Sequence, residues 1–284
     1  MVLKKLKTYG ELVMFSHTLF SLPFALISML WAANGLPDIA TFFWILVALV
    51  AGRNGANALN RWVDRDIDKK NPRTADRHLP KGIVKGSEVL WIVGICYALF
   101  VLAAYQLNTL CFLLSPVALA LFTVYSYTKR VTWACHLVLG IACAGAPVGA
   151  WLAVTGQFAL TPLMLGAVVL LWVAGFDIIY GTQDIDFDRN NAIYSIPARF
   201  GLKNSLLIAK AFHFMMWILL VALFFVMELG IFYLMGVVLS GALLVIEHRL
   251  VDPDNKRKMN VASYHINQIV SMLLLVSTVV DLIL

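Results

Sequence analysis

Residues 60–80 read NRWVDRDIDKKNPRTADRHLP and gather four aspartates and six lysine or arginine residues in one short segment. The rest of the chain is very different, because 61% of its 284 residues are hydrophobic and only 13% are charged. Soluble domains carry roughly 25% charged residues, so this chain has too few to cover itself with a polar surface. The segment is therefore a polar stretch in a protein whose composition suits a membrane.

Apolar runs of about 20 residues recur along the whole chain, and a helix of that length crosses roughly 30 Å of hydrocarbon. The runs show no alternation of apolar and polar residues, so they do not indicate a β-barrel. The first run is long for the core of a signal peptide, and we expect a retained helix. The sequence predicts an all-α polytopic membrane protein with about nine transmembrane helices. Their predicted bounds are 12–34, 38–62, 88–106, 108–128, 134–155, 161–182, 204–227, 230–249 and 262–283.

The connections between these helices alternate in charge. One set is short and lacks lysine and arginine, while the other, which includes the segments 61–86 and 183–203, carries nearly all the basic residues. The positive-inside rule places the N-terminus and the charged loops in the cytoplasm and the C-terminus outside the plasma membrane. The net charge of +6 lies in short loops rather than on one folded face, so it does not indicate nucleic-acid binding. We expect one membrane-embedded domain over residues 1–284, with 61–86 and 183–203 as cytoplasmic caps.

A stripe of polar residues continues the second predicted helix beyond the membrane. Asn60, Asp64 and Asp68 are spaced four residues apart, and at α-helical pitch such residues stack on one face. Arg53 extends the stripe about two turns deeper into the span, whereas Asp66 points to the opposite side. Charge near or inside a bilayer is costly, so an aligned row of it indicates function.

The sixth predicted helix ends in a similar way, in the sequence FDIIYGTQDIDFDRN. Helical spacing places Asp177, Tyr180, Asp184 and Asp188 on one face, while Asp186 faces away. Both clusters end spans at the predicted cytoplasmic side, and the two spans are an even number of helices apart. We therefore expect the two clusters to meet in space.

Two groups of carboxylates that approach each other need positive charge between them. Mg²⁺ takes oxygen ligands and typically uses one or two carboxylates together with phosphate oxygens of a substrate. Nearby arginine and lysine side chains would add phosphate contacts. The sequence thus predicts a Mg²⁺–diphosphate site at the mouth of a lipid-filled cavity. Other bases, namely Lys69, Lys70, Lys85 and the run 256–258, fit plain topology signals. The candidate phosphate contacts are Arg61, Arg65, Arg73, Arg77, Lys81, Arg189 and Arg199.

Three motifs resemble the UbiA superfamily of intramembrane aromatic prenyltransferases. The first is N-x₃-D-x₃-D followed by R-T-x-x-R within residues 60–77, and the second is D-x₂-Y-x₃-D-x₃-D within 177–188. The sequence YSYTKR at 125–130 is similar to the family's Y-P-x-x-K-R, with Ser126 in place of proline. The resemblance covers nearly the whole chain in order and spacing. It implies two four-helix halves and one further helix around a central cavity, which the aspartate motifs cap from the cytoplasm.

The resemblance also implies the reaction. Mg²⁺ would hold the diphosphate of a polyprenyl donor, the allylic C–O bond would ionise, and the allylic cation would attack an aromatic ring ortho to a hydroxyl. Loss of a ring proton, for which Asp177 is the candidate acceptor, would restore aromaticity. Tyr125 and Tyr180 are candidates for the cavity wall, since aromatic faces attract cations. The implied metal ligands are Asn60, Asp64, Asp68, Asp184 and Asp188. The implied substrate contacts are Arg53, Arg73, Arg77, Lys81, Lys129, Arg130 and Arg199.

Two departures from the family pattern bear on the substrates. Tyr194 stands where the family often has lysine, which removes a phosphate contact for which Arg189 or Arg199 is a substitute. His17 stands where 4-hydroxybenzoate enzymes often carry a basic residue followed by proline, and it either contacts the acceptor or packs within the bundle. Both departures resemble a side branch of which some members serve menaquinone synthesis by the futalosine route. The resemblance therefore implies 4-hydroxybenzoate, in ubiquinone synthesis, or 1,4-dihydroxy-6-naphthoate as the acceptor.

Other classes of membrane protein compete with this interpretation. A cation-coupled secondary transporter also carries acids inside its spans, but transporter sites tend to lie near the bilayer midplane. A CDP-alcohol phosphotransferase uses aspartates with Mg²⁺, but its glycine-containing D-G-x₂-A-R pattern is absent from this sequence. A prenyltransferase for a haem, chlorophyllide or glycerol phosphate acceptor is a further alternative. The sequence leaves the prenyl chain length and the oligomeric state open.

Overall fold

The structure, a computed structural model, describes residues 8–13 and 18–284. Every regular element in this part of the chain is helical, as predicted. The elements are α1 (Thr18–Ala33), α2 (Ile39–Lys70), α3 (Gly86–Leu107), α4 (Thr109–Thr128), α5 (Cys135–Thr155), α6 (Leu160–Gly181), a 3₁₀ turn (Thr182–Asp184), α7 (Ile185–Asn190), α8 (Ile196–Val226), α9 (Ile231–Leu250), α10 (Lys256–Asn260), a π-helical turn (Val261–Ile266) and α11 (Asn267–Ile283).

Within the described residues, eight helical stretches are long and apolar enough to cross a membrane. A ninth apolar helix, α1, is described over Thr18–Ala33, which corresponds to about 24 Å of the roughly 30 Å of hydrocarbon. The predicted polytopic α-helical fold is therefore confirmed. The first predicted span, 12–34, differs in its beginning, because residue 13 lies in a turn and the described part of this helix starts at Thr18.

Contacts within the chain divide it into two compact units. The first comprises Met1–Leu19 and Asp38–Tyr127, and the second comprises Phe20–Pro37 and Thr128–Leu284. The first aspartate motif belongs to the first unit, and the second motif belongs to the second unit. The division into two units does not test the expectation of one domain over residues 1–284, which stays a prediction.

In the first unit, helix α2 is long enough to carry the first motif past the hydrocarbon. The carboxylate of Asp38 caps its start by accepting the backbone N–H groups of Ala40 and Thr41, each at 3.0 Å. The helix has 32 residues, which corresponds to about 48 Å. It ends at Lys70, where Asn71 turns to an extended backbone. The final turns therefore reach well beyond one bilayer core.

The core of the first unit fixes the C-terminal half of α2. Gly55 allows a close approach of α3, because a Cβ at this position would lie 2.8 Å from a ring carbon of Tyr97. Buried apolar side chains then pack beside the polar stripe, so the stripe is held on a rigid helix rather than on a loop. The buried members of this core are Leu12, Val13, Ala58, Leu59, Val63, Val84, Val89 and Val93.

In the second unit, the core forms around Trp172 of α6, which is fully buried. Its ring packs against Phe24 of α1 and Phe176, with ring centroids 4.9 and 5.3 Å apart. Gly140 lets α5 approach the α6 backbone, since a Cβ there would lie 2.5 Å from the carbonyl oxygen of Leu170. These contacts hold α6, whose C-terminal end carries the second motif.

A buried polar network in the second unit stabilises the π-helical turn. The Asn267 side chain accepts a hydrogen bond from Trp172 Nε1 at 2.6 Å and donates to Glu247 Oε1 at 2.9 Å. Its Nδ2 also donates to the carbonyl oxygen of Ala262 at 3.2 Å, inside the turn. A π-turn displaces carbonyls from the usual α-helical pattern. The Asn267 amide hydrogen-bonds to a carbonyl group within the turn and so stabilises the π-helical backbone.

Helix α8 begins earlier than the sequence indicates, at Ile196 instead of residue 204. Ser195 caps it by accepting a backbone N–H of the first turn at 3.1 Å, and Pro197 suits a first turn. Gly201, with φ of 74° and ψ of 172°, then interrupts the helical backbone. The predicted loop 183–203 is therefore wrong in part, because it holds the 3₁₀ turn, α7 and the first turn of α8.

Candidate functional site

The first aspartate motif forms consecutive turns at the end of α2, as its spacing predicts. Asp64 and Asp68 are only 2% and 4% exposed, although aspartates are seldom buried without partners. Asn60 Nδ2 donates to Asp64 Oδ2 at 3.0 Å. Asp66, by contrast, has a side chain 80% exposed and lies 3.7 Å from Arg65. The helix thus separates two buried carboxylates from an exposed one.

The R-T-x-x-R segment folds back onto Asp68. Arg77 Nη1 donates to both carboxylate oxygens of Asp68 at 2.7 Å. Thr74 Oγ1 donates to the backbone carbonyl of Asp68 at 3.0 Å, and Thr74 itself is buried. In this structure Arg77 therefore neutralises a motif carboxylate, and the pair forms a partly buried charge-assisted contact. Arg77 was predicted to contact a phosphate. In the structure its guanidinium binds Asp68, so a bound phosphate would have to share this arginine with that carboxylate.

The other predicted groups of the first unit are more scattered. Tyr125 OH donates to the carbonyl oxygen of Ala56 at 3.1 Å, which ties α4 to α2 one turn before the motif. Lys81 is half-exposed and pairs with Asp76 at 2.7 Å, so it is engaged away from the motif carboxylates. Arg53 and Arg73 are partly buried.

The second motif does not follow one continuous α-helix, contrary to the helical spacing that we used. Helix α6 ends at Gly181, and the 3₁₀ turn Thr182–Asp184 separates it from α7. Thr182 Oγ1 donates to the carbonyl oxygen of Ile179 at 2.6 Å and stabilises this tighter turn. A 3₁₀ turn rotates the chain by a different angle per residue. The spacing of seven residues between Asp177 and Asp184 therefore does not by itself place them on one helical face, as the sequence interpretation assumed.

Asp188 is buried and joins the second motif to α8. Its Oδ2 accepts a hydrogen bond from Ser195 Oγ at 2.8 Å. The same hydroxyl caps α8, so one serine positions both the carboxylate and the start of the next helix. Asp186, on the far side of the short helix α7, is exposed, in agreement with the expectation that it faces away.

His136 is a site residue that the sequence interpretation missed. It lies in the first turn of α5, is 5% exposed, and its Nδ1 lies 2.7 Å from Asp177 Oδ2. Its Nε2 is buried, with no hydrogen-bond partner among the residues that the structure describes. A Cβ on Gly181 would come within 3.3 Å of the ring. His136 and Asp177 are 41 residues apart, and only the packing of α5 on α6 reveals the pair.

The remaining predicted contacts of the second unit differ in exposure and in the partners that they contact. The Lys129 carbonyl accepts the backbone N–H of Tyr194 at 2.8 Å, which links the K-R motif to the position where the family often has lysine. Arg199 is exposed, and its guanidinium lies 5.9 Å from the ring of Trp133. The ring centroids of Tyr180 and Tyr264 are 5.2 Å apart. Arg130 is partly buried, Arg189 is exposed, and His17 lies outside the described residues.

The donor chemistry of both motifs suits a hard cation. The candidate ligands are carboxylates and one amide, all oxygen donors, and each motif offers two aspartates, a number that Mg²⁺ commonly uses in proteins. Within the described ranges, no three histidine, cysteine, aspartate or glutamate side chains stand close enough together to hold a metal ion. The residues therefore fit Mg²⁺ in kind, and the assembled set of five ligands stays a prediction.

Known proteins are similar to this chain in sequence and in fold. The chain matches the UbiA prenyltransferase family over residues 21–269. It is 29% identical to a 4-hydroxybenzoate octaprenyltransferase of Aliivibrio salmonicida, covering 88% of this chain and 89% of the relative. A protein of the same name from Citrobacter koseri is 32% identical, with coverage of 86% and 82%.

Solved structures agree with the sequence comparison. The apo structure of a UbiA homolog from Aeropyrum pernix K1 superposes with a TM-score of 0.85 at 33% identity, covering 94% of this chain and 98% of the other. A UbiA homolog from Archaeoglobus fulgidus, bound to DMAPP and Mg²⁺, shares the fold with a TM-score of 0.74 at 19% identity, covering 98% and 99%. With most of its length matched and both motifs in order, the chain belongs to the UbiA prenyltransferase family.

Proposed function

We propose that this prenyltransferase transfers a polyprenyl group from a polyprenyl diphosphate to a hydroxylated aromatic acid. The observation that carries the proposal is the pair of buried carboxylates, Asp64 and Asp68, which the structure keeps at the end of a membrane-spanning helix. Burial of two carboxylates is costly unless positive charge accompanies them. The relatives named 4-hydroxybenzoate octaprenyltransferase, which match more than four-fifths of the chain, support the aromatic acid as acceptor.

Mg²⁺ is the cation that we assign to both motifs. When bound, it would supply positive charge for the departing diphosphate. The residues that would hold it are Asn60, Asp64, Asp68, Asp184 and Asp188.

The protein's own side chains bind the donor and stabilise its leaving group. Cleavage of the allylic C–O bond leaves the electron pair on the diphosphate, so arginine and lysine side chains around it favour the step. We assign Arg77 to this role, and the contact of its guanidinium with a motif carboxylate at 2.7 Å supports the assignment. Phosphate oxygens would compete with Asp68 for the same N–H groups. The other assigned contacts are Arg53, Arg73, Lys81, Lys129, Arg130 and Arg199.

The acceptor half of the reaction needs a group that takes a ring proton. The new C–C bond forms at the carbon ortho to the hydroxyl, and that carbon then loses its proton to restore aromaticity. We assign Asp177 as the proton acceptor, since it precedes the metal-binding aspartates along the chain and is hydrogen-bonded by His136 at 2.7 Å. Tyr125 and Tyr180 would present ring faces to the allylic cation.

Two acceptors fit this chemistry, 4-hydroxybenzoate and 1,4-dihydroxy-6-naphthoate. The relatives named 4-hydroxybenzoate octaprenyltransferase support the first, and the departures at Tyr194 and His17 keep the second as the alternative. Both acceptors carry a carboxylate and a ring hydroxyl, so the same side chains would serve either. Membership of a prenyltransferase family favours an enzyme over the cation-coupled transporter.

A transfer assay with purified protein tests the proposed function. It offers an allylic polyprenyl diphosphate with Mg²⁺ and each aromatic acid in a separate reaction, with Asp64→Asn as the inactive control. Product from one acid alone identifies the acceptor. An active wild-type protein with either acid supports the proposal, whereas folded protein that prenylates neither acid contradicts it.

We further propose that the charged loops face the cytoplasm and that the C-terminus lies outside the plasma membrane. The basic residues concentrate in one set of loops, which supports this orientation. Alkaline phosphatase fused after Leu284 should be active in whole cells, and the same enzyme fused within 61–86 should be inactive. The reverse pattern would contradict the proposed orientation.

A further inference from the structure

A glutamate outside both aspartate motifs is fully buried in the second unit. Glu247 lies near the end of α9, a helix that is long and apolar enough to cross a membrane. Its Oε1 accepts a hydrogen bond from Asn267 Nδ2 at 2.9 Å. Its Oε2 lies 3.5 Å from His213 Nδ1 and accepts no hydrogen bond from the residues that the structure describes. Acidic side chains inside spans are costly and usually functional, and no step of the proposed reaction uses this one.

Asn267 connects the buried carboxylate to the π-helical turn. Its Oδ1 accepts from Trp172 Nε1 at 2.6 Å, and its Nδ2 donates to the Ala262 carbonyl oxygen at 3.2 Å as well as to Glu247. Because an indole N–H only donates and a carbonyl oxygen only accepts, the amide fits this position in one orientation. The Glu247–Asn267 pair therefore holds the turn at a fixed place beside α6.

The π-helical turn carries a side chain that contacts the second motif. The ring of Tyr264 packs edge-to-face against the ring of Tyr180, with centroids 5.2 Å apart and an interplanar angle of 71°. A π-turn changes the direction in which side chains leave a helix, and such turns often occur at functional sites. The place of the Tyr264 ring, and with it the support of Tyr180, thus depends on the turn that Asn267 stabilises.

The same network also holds the part of α6 that leads into the second motif. His213 of α8 is 2% exposed, and its Nε2 lies 3.3 Å from the carbonyl oxygen of Trp172. Gly175, two residues before the motif begins, permits this approach, since a Cβ there would meet the His213 ring. The Glu247 carboxylate lies beside both His213 and Asn267, the two side chains that bind Trp172. Its burial is therefore linked to the position of α6.

We propose that the Glu247–Asn267 pair positions Tyr180 of the second motif through the π-helical turn. The inference rests on the proposed function, in which cleavage of the donor leaves an allylic cation. That cation either forms a C–C bond with the aromatic acid or takes the oxygen of a water molecule, which loses a proton and leaves a prenyl alcohol. An aromatic face held beside the cation attracts it and fills the space of a water molecule, so it favours transfer over hydrolysis.

The ratio of prenyl alcohol to prenylated acid tests this inference, because a smaller folded fraction lowers both products equally. Purified protein receives a polyprenyl diphosphate, Mg²⁺ and either 4-hydroxybenzoate or 1,4-dihydroxy-6-naphthoate. We expect Asn267→Leu and Glu247→Leu to raise the ratio about tenfold or more, since a misplacement of about 1 Å can cost about a hundredfold in rate. Glu247→Gln keeps an oxygen that accepts from Asn267 and should stay near the wild-type ratio. An unchanged ratio in both leucine variants would overturn the positioning role.

Variants of Tyr264 keep the test decisive if a change in the buried pair impairs folding, because Tyr264 is only partly buried. Tyr264→Leu removes the ring and should raise the ratio, whereas Tyr264→Phe keeps the ring and should not. Tyr233→Leu is the matched control, since it removes a ring that packs on Trp31 at 5.9 Å in the core of the same unit. It should lower the melting temperature and leave the ratio unchanged. An equal rise in Tyr233→Leu and Tyr264→Leu would mean that lost stability alone moves the ratio, and would overturn the inference.

Amide hydrogen exchange separates failure of this inference from failure of the proposed function. Asn267→Leu and Tyr264→Leu should speed exchange over residues 176–190, because the segment loses a support, and Tyr233→Leu should not. Protein that prenylates neither acid contradicts the proposed function, and faster exchange in the two variants would still support the link between the π-turn and Tyr180. Protein that prenylates an acid, with ratio and exchange both unchanged in the variants, contradicts the positioning role alone.

Discussion

At the scale of single residues, burial distinguishes aspartates that the sequence places side by side. Asp64 is 2% exposed and Asp66, two residues later, has a side chain 80% exposed. Opposite faces of one helix thus give neighbouring acids different surroundings. Only the buried carboxylate is held in a fixed geometry by the Asn60 amide, and this is a condition for binding a metal–diphosphate complex tightly.

We expect Asp64→Asn to lower the rate of prenyl transfer by a hundredfold or more, of the order lost when one stabilising group of a transition state is removed. Asp66→Asn changes the same chemistry on the exposed face and should keep most of the activity. Asp184→Asn and Asp186→Asn form the matching pair in the second motif. Initial rates with saturating acceptor measure all four variants. An equal loss in all four would contradict the assignment by helix face.

His136 gives a second prediction at this scale, because it contacts the proposed proton acceptor. His136→Ala removes the partner of Asp177 and should lower kcat by about tenfold to a hundredfold, a part of what a general base contributes. His136→Gln keeps an N–H donor within reach and should retain more of kcat. The KM for the prenyl diphosphate should stay unchanged in both. A purely structural role would lower the melting temperature and affect both substrates alike, and that result would contradict the prediction.

At the scale of elements, the sequence predicts long apolar helices well and short polar ones poorly. The i, i+4, i+8 spacing correctly continued α2 to Asp68, because one uninterrupted helix supports the stripe. The sequence alone predicts a loop over 183–203, because this charged stretch connects two long apolar runs. There the helices depend on a tertiary contact, the Ser195 hydroxyl bonded to Asp188, which no local pattern reports.

The start of α2 provides a prediction on stability and pH. Hydrogen bonds from the hydroxyl and backbone N–H of Thr41 and then from the backbone N–H of Ala40 lower the pKa of Asp38. A lowered folded-state pKa means that the stabilisation is complete above the unfolded-state pKa of about 3.9 and is lost as the pH falls through the folded-state value. We therefore expect Asp38→Ala to lower the melting temperature at pH 7, with a difference from wild type that vanishes in acid.

Asp38→Asn is the control for this cap, because asparagine caps helices as well as aspartate but does not titrate in this range. It should melt near the wild-type temperature at pH 7 and show no loss of the cap in acid. Thermal unfolding in detergent, followed by circular dichroism between pH 7 and pH 2, measures all three proteins. An Asp38→Ala protein as stable as the wild type at pH 7 would show that the cap contributes nothing.

At the scale of the whole molecule, the fold class followed from composition, whereas the site did not. Runs of apolar residues sufficed for a polytopic α-helical protein. The π-turn depends on Asn267, whose amide reaches back to Ala262 while its oxygen accepts from Trp172 on another helix. The His136–Asp177 pair arises in the same way, from packing between segments far apart in the chain. Sequence spacing reports one helix at a time, so these features needed the structure.

The two motifs provide the last prediction, on how metal and donor act on the protein together. If Mg²⁺ and the prenyl diphosphate engage both motifs, their addition should raise the melting temperature, because ligands that bind only the folded state stabilise it. Asp64→Asn and Asp184→Asn should each remove most of this rise, and the double variant should lose little more, since residues of one site are not additive. Chelation by EDTA should abolish both the rise and the activity, and Mg²⁺ should restore them. Additive losses would instead mean that each motif binds its own ligand, and the proposed single Mg²⁺–diphosphate site would then be wrong.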